Sequence, residues 1–221
     1  MRLETFADAE AAARAGAELI AAAARDAIGE GGRFSLAVSG GKTPWPMFEL
    51  LGKDGLDWEH VDLFQVDERV APDGDPDRNM TQIRASLPDA ARERLRPMPV
   101  TDDDLDAAAA RYEAELPRPL DLVHLGLGPD GHTASLVPDD PVLEVTDRLV
   151  ALTGGEYQGR RRMTLTYPAL ADARRVFWLV AGENKRDAVG KLLAGDRSIP
   201  AGRVEAAGGA VLADRSAAPT A

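Results

Sequence analysis

The residues best placed for chemistry in this chain lie between 121 and 138, in the segment DLVHLGLGPDGHTASLVP. Its first part is rich in Leu and Val and predicts a buried strand, and the glycines that follow allow tight turns close to a ligand. The resulting loop presents Asp130 and His132. Loops after buried strands often carry functional side chains, and histidine ionises near neutral pH. We therefore expect the chemistry at the carboxyl end of this strand.

The other two histidines have different settings. A lone histidine in a protein is often structural, so each position needs its own interpretation. His124 falls inside the predicted strand and is interpreted as a core residue or as a support for the site. His60 has the surroundings of a surface residue. His132 stands in a glycine loop beside a carboxylate, which favours a functional role over a structural one.

A second glycine loop, SGGKT at residues 39–43, follows a short apolar run and precedes an apolar helical segment. Consecutive backbone N–H groups at the start of a helix favour a phosphate or a carboxylate. A turn from strand to helix needs glycine for its geometry in any case, so the pattern alone also fits a purely structural loop. The candidate anion ligands here are Ser39, Gly40, Gly41, Lys42 and Thr43.

Charged side chains follow other strand-like runs. Asp67 and Arg69 come after the apolar run at 61–66 and would face the same edge as His132, although a solvated charge cluster is an equal alternative. Lys185 begins a helix after the apolar run at 176–180, from where its amine could reach an anion. Arg160–Arg162 form the densest basic cluster of an acidic chain, and we expect at least one of them to hold a phosphate.

Several familiar site motifs do not fit. Residues 41–43 match the end of a nucleotide P-loop, but the required first glycine falls on Leu36. Residues 126–131 match a dinucleotide fingerprint, but Pro138 and Pro141 interrupt the long helix that must follow. The chain has no cysteine, no GxSxG elbow and no HExxH spacing. Sites for ATP, NAD, FAD and zinc, and a nucleophilic serine or cysteine, are therefore not expected.

Strand-like and helix-like segments alternate along the chain. This alternation predicts an α/β fold: a single domain over residues 1–221, with a largely parallel, Rossmann-like sheet flanked by helices on both faces. Ligands bind such sheets outside the carboxyl ends of the strands. The loops at residues 39, 67, 126 and 182 should therefore share one edge, and the tail at about 214–221 is expected to fray.

The charge and the apolar content of the chain limit the kinds of partner that it is expected to bind. A formal charge of -11 over 221 residues argues against nucleic acid or an anionic membrane as partner. No apolar run approaches the length of a bilayer crossing, and charged residues interrupt residues 1–28 where a secretory signal would be apolar. We therefore expect a cytoplasmic protein with a small-molecule ligand, and we expect it to be a monomer.

Five stretches together resemble the 6-phosphogluconolactonases of the pentose phosphate pathway. They are SGGKTP at 39–44, VDERVAPDGDPDRN at 66–79, GLGPDGHTASLVP at 126–138, RMTLTYPAL at 162–170 and LVAGENKRDAV at 179–189. The resemblance implies hydrolysis of 6-phospho-D-glucono-1,5-lactone to 6-phospho-D-gluconate, with neither a metal nor an organic cofactor. It also implies a fold shared with glucosamine-6-phosphate deaminases and, more distantly, with ribose-5-phosphate isomerases and CoA transferases.

The resemblance further implies roles for individual residues. His132 would be the general base that takes a proton from the attacking water. Asp67 would orient His132 or the substrate, and Arg69 would fix its own loop. Backbone amides at residues 128–131 would stabilise the oxyanion at C1. The substrate and its phosphate would be held by Ser39, Gly40, Gly41, Lys42, Thr43, Asp130, Arg162 and Lys185.

Two alternatives to the lactonase remain. A glucosamine-6-phosphate deaminase carries similar motifs, but its pattern has a glutamate five residues after the histidine, and this chain has Val137 there. Valine cannot transfer a proton, which argues against the deaminase. A non-catalytic sugar-phosphate sensor on the same fold would add a basic helix-turn-helix segment, and the residues before Phe34 are not basic enough for one.

Overall fold

A seven-stranded sheet forms the centre of the protein. The computed structural model describes residues 1–53, 55–206 and 208–219. In spatial order the strands of this sheet are β1-β10-β9-β6-β2-β3-β5, and each neighbouring pair is parallel. Their bounds are β1 Arg2–Phe6, β2 Phe34–Val38, β3 Val61–Gln65, β5 Leu95–Arg96, β6 Leu122–Leu125, β9 Val176–Val180 and β10 Ala210–Asp214.

Helices connect these strands. Their bounds are α1 Ala9–Gly31, α2 Trp45–Leu51, α3 Asn79–Ser86, α4 Asp89–Arg92, α5 Leu105–Glu115, α6 Tyr167–Asp172 and α7 Arg186–Ala194. The Asp8 carboxylate accepts from the Ala11 N–H at 2.8 Å and caps α1, and Gly32 ends that helix with a positive φ of 78°. The long alanine run between these two signals accounts for the length of α1.

The central sheet is buried on both faces, and its side chains alternate between two cores. On one face Leu36 and Phe177 pack with apolar residues of α1, α2 and α3. On the other face Val123 and Trp178 pack with residues of α5 and α7. The predicted α/β fold, with a largely parallel sheet and helices on both faces, is therefore confirmed.

A small antiparallel sheet covers part of the second face, and the sequence did not predict it. It consists of β4 Asp67–Arg69, β8 Arg162–Leu165 and β7 Val150–Leu152. In the pairing of β4 with β8, Asp67 lies opposite Thr164 and Arg69 lies opposite Arg162. Because side chains alternate along a strand, these four residues share one face of the small sheet.

Some local predictions were wrong. The edge strand β1 was missed because RLETF contains three polar residues and shows no apolar run. The asparagine at position 79 also has the character of a helix cap in the sequence, but it is the first residue of α3 and not its cap. The tail does not fray from 214, since the Asp214 carboxylate accepts from the Ala217 N–H at 2.8 Å and Ala217 is fully buried. Residues 220 and 221 of the predicted tail lie outside the described residues.

Candidate active site

One cleft collects most of the predicted site residues. It lies at the carboxyl ends of β2, β3, β6 and β9, as expected for a parallel sheet. Its empty volume, which includes the open solvent at its mouth, is about 780 Å³. The predicted residues that line it are Ser39, Gly40, Gly41, Lys42, Thr43, Asp67, Arg69, His132, Arg162 and Lys185. Asp130 is absent from this lining.

Asp130 instead lies beside His132. Its Oδ1 is 2.6 Å from Nδ1 of His132, and the His132 side chain is 21% exposed at the cleft. A carboxylate at Nδ1 favours the tautomer with its proton on that nitrogen, which leaves the lone pair on Nε2. In the structure, the observed contact of Asp130 is with the imidazole.

Gly128 is required by this pair. A Cβ at residue 128 would lie 2.0 Å from His132 Nδ1 and 2.4 Å from Asp130 Oδ1, so any side chain would displace the hydrogen bond. Gly131 adopts a positive φ of 82°, and a Cβ there would lie 2.5 Å from Cβ of Ile199. The two glycines of this loop therefore serve the position of the histidine and not only the turn.

The carboxylate of Asp130 is held in its charged form. Partial burial alone would raise its pKa. The neighbouring His132 and hydrogen bonds from His132 and Tyr157 outweigh burial and lower the pKa below its ordinary value. Asp130 is thus an acceptor for His132 over the neutral pH range.

The loop amides do not form the expected oxyanion site. The Gly128 N–H donates to the His132 carbonyl at 2.8 Å, and the Gly131 N–H donates to the Gly128 carbonyl at 3.0 Å. Pro129 has no N–H. Of residues 128–131, only the Asp130 amide has no partner within the described part of the chain. The tight turn thus uses the amides of Gly128 and Gly131 for its own hydrogen bonds.

Asp67 faces the cleft from β4 but does not orient His132. Its Oδ2 accepts from the Ser135 hydroxyl at 2.6 Å, and its Oδ1 accepts from the Asn79 side chain at 3.2 Å. The side chain is only 5% exposed. Of the two predicted roles for Asp67, the geometry leaves the one toward a ligand, because Asp130 occupies the position beside the imidazole.

Glu68 and Arg69 secure the loop that follows β4. The fully buried Glu68 carboxylate accepts from the Asn79 and Met80 N–H groups, both at 2.8 Å, and so caps α3 from a distant position. Arg69 Nη1 donates to the Asp77 carbonyl at 2.7 Å and to Asn79 Oδ1 at 2.8 Å. These two adjacent residues of β4 thus have different roles: Glu68 holds the start of α3, and Asp67 faces the cleft.

The three arginines of the basic cluster have separate positions. Arg160 contacts the carboxylates of Asp75 and Asp77 at 3.0 and 3.2 Å. Arg161 is exposed, and its Nε donates to the Thr153 carbonyl. Arg162 alone lines the main cleft. Its place on β8, opposite Arg69, explains why it points inward.

Arg162 is a buried cation that forms no ion pair among the described residues. It is 3% exposed, its Nε has no hydrogen-bond partner, and no ion pair forms with it among the described residues. Burial lowers the pKa of Arg162, and the nearby Asp67 charge opposes that effect. An unpaired buried charge is costly, so an anionic ligand would stabilise this arrangement.

A second cation and a glycine loop complete the cleft. Lys185 precedes α7, and its partial burial lowers its pKa while the charge of Asp130 raises it. The glycine loop lies opposite, between β2 and α2. A Cβ at Gly40 would lie 2.2 Å from the Asn79 side chain, which explains the glycine at that position. Together, Arg162, Lys185 and the exposed Lys42 make a positive site in an acidic protein.

The family comparisons agree with this site. The family model described as glucosamine-6-phosphate isomerases/6-phosphogluconolactonase matches residues 7–213. The chain belongs to this family. A 6-phosphogluconolactonase of Synechocystis sp. is 40% identical over 184 residues, or 76% of this chain and 75% of that protein. A 6-phosphogluconolactonase of Streptomyces coelicolor is 35% identical over 217 residues, or 88% of this chain and 83% of that protein.

Solved structures of the family have the same fold. The crystal structure of a 6-phosphogluconolactonase from Shewanella baltica superposes with a TM-score of 0.87 at 27% identity, over 97% of each chain. A monomeric glucosamine-6-phosphate deaminase superposes with a TM-score of 0.83 at 20% identity, over 98% of each chain. The second likeness shows the fold alone, so residues of the cleft must separate the two activities of the family.

Position 137, where the deaminase pattern expected from the sequence has a glutamate, lies in the core of this chain. Val137 is 3% exposed and is not among the residues that line the cleft. Asp67 is the one carboxylate residue on the cleft lining within the described chain. The acid that the deaminase pattern places five residues after the histidine therefore has no counterpart here.

His124, in contrast to His132, is a core residue. It is fully buried between Phe48 and Phe177, with ring centroids 6.0 and 5.1 Å away. Burial lowers the pKa of His124 to about 3, so the ring is neutral. This is the first of the two positions that the sequence suggested for it.

Three residues around the site were missed by the sequence reasoning. Ser135 bonds Asp67, Asn79 bonds both Asp67 and Arg69, and the Tyr157 hydroxyl donates to Asp130. Ser135 lies within the motif already singled out, three residues after His132, which was a usable signal. Tyr157 gave no such signal, because its loop approaches His132 only through the pairing of β7 with β8.

Proposed function

We propose that this chain hydrolyses 6-phospho-D-glucono-1,5-lactone to 6-phospho-D-gluconate, the lactonase step of the oxidative pentose phosphate pathway. The observation that carries the proposal is one cleft that holds a carboxylate-bound histidine and an unpaired buried arginine. The first group suits water activation and the second suits a phosphate. Relatives at 35–40% identity that bear the name 6-phosphogluconolactonase support the choice of substrate.

Water activation by His132 begins the reaction. Nε2 accepts a proton from a water molecule as the water oxygen bonds to C1 of the lactone, and the carbonyl electrons move to the exocyclic oxygen. Asp130 stabilises the resulting imidazolium through Nδ1. Collapse of the tetrahedral intermediate breaks the bond between C1 and the ring oxygen. The imidazolium then returns the proton to that oxygen, which becomes the 5-hydroxyl group of the product.

The phosphate group sets the position of the lactone. Arg162 and Lys185 supply the charge, and the loop 39–43 supplies backbone and side-chain donors around it. Neither cation needs to move into the cleft, since both already line it. Binding energy from this remote group would place C1 near His132, which is the usual way to lower the entropy cost of a hydrolysis.

Asp67 is proposed to contact the sugar. It lies across the cleft on β4, with one oxygen bonded to Ser135 and the other to Asn79. Carboxylates held in this way are good acceptors for sugar hydroxyl groups. Arg69 acts on the same strand through its loop contacts, and so supports the position of Asp67.

A paired turnover assay tests the proposal. Freshly prepared 6-phosphogluconolactone and glucosamine 6-phosphate are each incubated with the wild-type chain and with an enzyme-free blank. We expect loss of the lactone well above its spontaneous opening, and no release of ammonia from the amino sugar. Ammonia release without lactone loss would establish the deaminase, and binding of the phosphosugar without any turnover would establish the sensor.

The non-phosphorylated lactone is the matched control for substrate class. D-Glucono-1,5-lactone presents the same reacting bond without the anion that Arg162 and Lys185 would hold. We expect kcat/KM for it to fall by ~10²-fold or more, since each charge-assisted contact contributes on the order of 1.5–3 kcal/mol. Equal values for both lactones would contradict the phosphate site.

Oligomeric state and location complete the proposal. We propose a monomer in the cytoplasm that acts on a small molecule. Met1 is the large apolar residue that is exposed in the described chain, at 52%, which supports a surface without an apolar interface. No helix of the described residues combines the length and apolar character that a bilayer crossing requires. Sedimentation at several concentrations would test the monomer.

A further inference from the structure

A strained turn places Tyr157 beside the site. Residues 157–160 form a turn within the connection between β7 and β8, and the Tyr157 N–H donates to the Arg160 carbonyl at 3.0 Å. The two central residues have positive φ, 54° at Gln158 and 75° at Gly159, as a type I′ turn requires. Glutamine rarely adopts this conformation, so the turn keeps a backbone strain that a simple connection would not need.

The Tyr157 hydroxyl contacts the acid–base pair. It donates to Oδ2 of Asp130 at 2.8 Å and lies 3.3 Å from Nδ1 of His132. Its ring meets the imidazole edge to face, with centroids 5.2 Å apart. Asp130 therefore has one oxygen on His132 and the other on Tyr157. A carboxylate anchored at both oxygens cannot rotate away from the imidazole.

The hydroxyl stays a donor at every working pH. Burial is the largest cause that raises the pKa of Tyr157, and the adjacent Asp130 adds to it, so the pKa reaches about 12. Arg162 opposes these effects. Lys185 is the further charged group whose field reaches Asp130.

Tyr157 also contacts Arg162, the arginine that is proposed to bind the phosphate. The guanidinium carbon of Arg162 lies 5.0 Å from the Tyr157 ring centroid, and Nη2 donates to the Tyr157 carbonyl at 3.2 Å. Nη2 also donates to the side chain of Gln158 at 3.2 Å. The turn thus holds the guanidinium on one side and the carboxylate on the other.

We propose that Tyr157 is a positioning residue with two separate actions. Its hydroxyl holds Asp130, and through Asp130 the imidazole of His132, while its ring holds Arg162. The inference rests on the lactone hydrolysis proposed above. It predicts that the hydroxyl affects the chemical step and that the ring affects substrate binding.

Two substitutions separate the two actions. Tyr157→Phe removes the hydroxyl and keeps the ring, and we expect kcat to fall about tenfold with KM within twofold of wild type. Tyr157→Leu removes both, and we expect the same fall in kcat with a rise in KM of about fivefold. Tyr167→Phe is the matched control, because it removes the same atom from a hydroxyl that donates to the Pro200 carbonyl at 2.9 Å and not to Asp130. We expect wild-type constants for it.

A double-mutant cycle tests whether Tyr157 acts through Asp130. In an Asp130→Asn background, Tyr157→Phe should change kcat by less than twofold, since the acceptor it holds is already altered. A tenfold loss in both backgrounds would overturn the inference, as would wild-type kcat in Tyr157→Phe or an equal loss in Tyr167→Phe.

The imidazole provides a measurement that does not depend on activity. With only three histidines, the ring ¹⁵N signals of His132 can be assigned from His60→Gln and His124→Leu variants. We expect the neutral ring to carry its proton on Nδ1 in wild type, and to populate the other tautomer more in Tyr157→Phe. Unchanged tautomers would overturn the inference. A wild-type chain that fails to hydrolyse the lactone would instead contradict the proposed function, and the ring signals would still test the position of His132.

Discussion

Two histidines eight residues apart show how differently one side chain type can be used. His124 lies in β6 with no exposure, and neither ring nitrogen has a hydrogen-bond partner in the described structure. His132 lies just beyond the end of β6, with Nδ1 on Asp130 and its ring at the cleft. The His124 ring packs between two phenylalanines as a core side chain, and the His132 ring is oriented to accept a proton.

The difference lies in the backbone around each ring. His124 belongs to a strand that is buried on both faces, where every side chain must enter one of the two cores. His132 follows Gly128 and Gly131, whose conformations bring a carboxylate back onto the imidazole. The two side chains are chemically identical. Their hydrogen-bond partners and their access to solvent, which a few glycines determine, therefore decide what each histidine can do.

Removing the exposed ring should have the largest effect. We expect His132→Ala to reduce kcat by ~10²-fold or more, the usual contribution of a general base. The fold should be unchanged, since the side chain is partly exposed at the cleft. Initial rates of lactone loss measure the effect, and a thermal melt is the control. Wild-type turnover in this variant would remove His132 from the mechanism.

Altering the partner of that ring should have a smaller effect. Asp130→Asn keeps the shape but loses the charge that stabilises the imidazolium, and we expect kcat to fall by ~10–10²-fold. KM should change little, because Asp130 does not line the cleft. Steady-state constants test this split. A rise in KM with unchanged kcat would return Asp130 to the substrate-binding role that the sequence suggested.

Changing the phosphate side of the cleft should affect binding and not the chemical step. Lys185→Ala removes a cation that acts on the ground state and the transition state alike, so KM should rise by about tenfold with kcat nearly constant. Lys191→Ala, in the helix α7 that follows Lys185, removes a lysine that is paired with Asp187 at 2.9 Å; it is the matched control and should keep wild-type constants. An unchanged KM in Lys185→Ala would count against its contact with the phosphate.

Substitution of the buried ring should change stability alone. His124→Leu replaces two unsatisfied nitrogens by apolar atoms of similar volume, and we expect a gain of about 1 kcal/mol in the free energy of unfolding. Urea denaturation at pH 7 measures it. A loss of several kcal/mol would show that the nitrogens bind groups that this account does not include.

The same substitution should alter the response to acid. His124 has its pKa lowered to about 3 in the folded chain, against an ordinary value of about 6.5. Below pH ~6.5 the unfolded chain binds a proton that the folded chain does not, so stability falls by ~1.4 kcal/mol per pH unit as pH decreases toward 3. The gain from His124→Leu should therefore grow between pH 6.5 and pH 4.5. A constant gain would show that His124 titrates alike in both states.

Much of the fold and the cleft could be predicted because both follow from local patterns. Buried apolar runs such as VFWLV at 176–180 are typical of parallel strands. Because the carboxyl ends of parallel strands meet at one edge of the sheet, the glycine loops that follow these strands lie together. The small sheet could not be predicted in this way. Its strands have three or four residues, too few to show a period, and they pair across as many as 97 positions, from Asp67 to Thr164.

The parts of the site that were missed depend on that small sheet. Only the pairing of β4 with β8 shows that Arg162, and not Arg160 or Arg161, lies opposite Arg69 in the cleft. Only the turn between β7 and β8 brings Tyr157 to Asp130. The partner of His132 could not be identified from the sequence, because the approach of Asp130 to Nδ1 requires the positive φ of Gly131, which a sequence pattern does not reveal.

A turnover assay can compare the two histidines side by side. The rate of loss of fresh 6-phosphogluconolactone is compared, against an enzyme-free blank, for wild type, His132→Ala and His124→Leu. The account predicts rapid loss with wild type and His124→Leu, and roughly 1% of that rate or less with His132→Ala. Equal rates for all three, or a loss of activity confined to His124→Leu, would contradict the assignment of the chemistry to the histidine in the glycine loop.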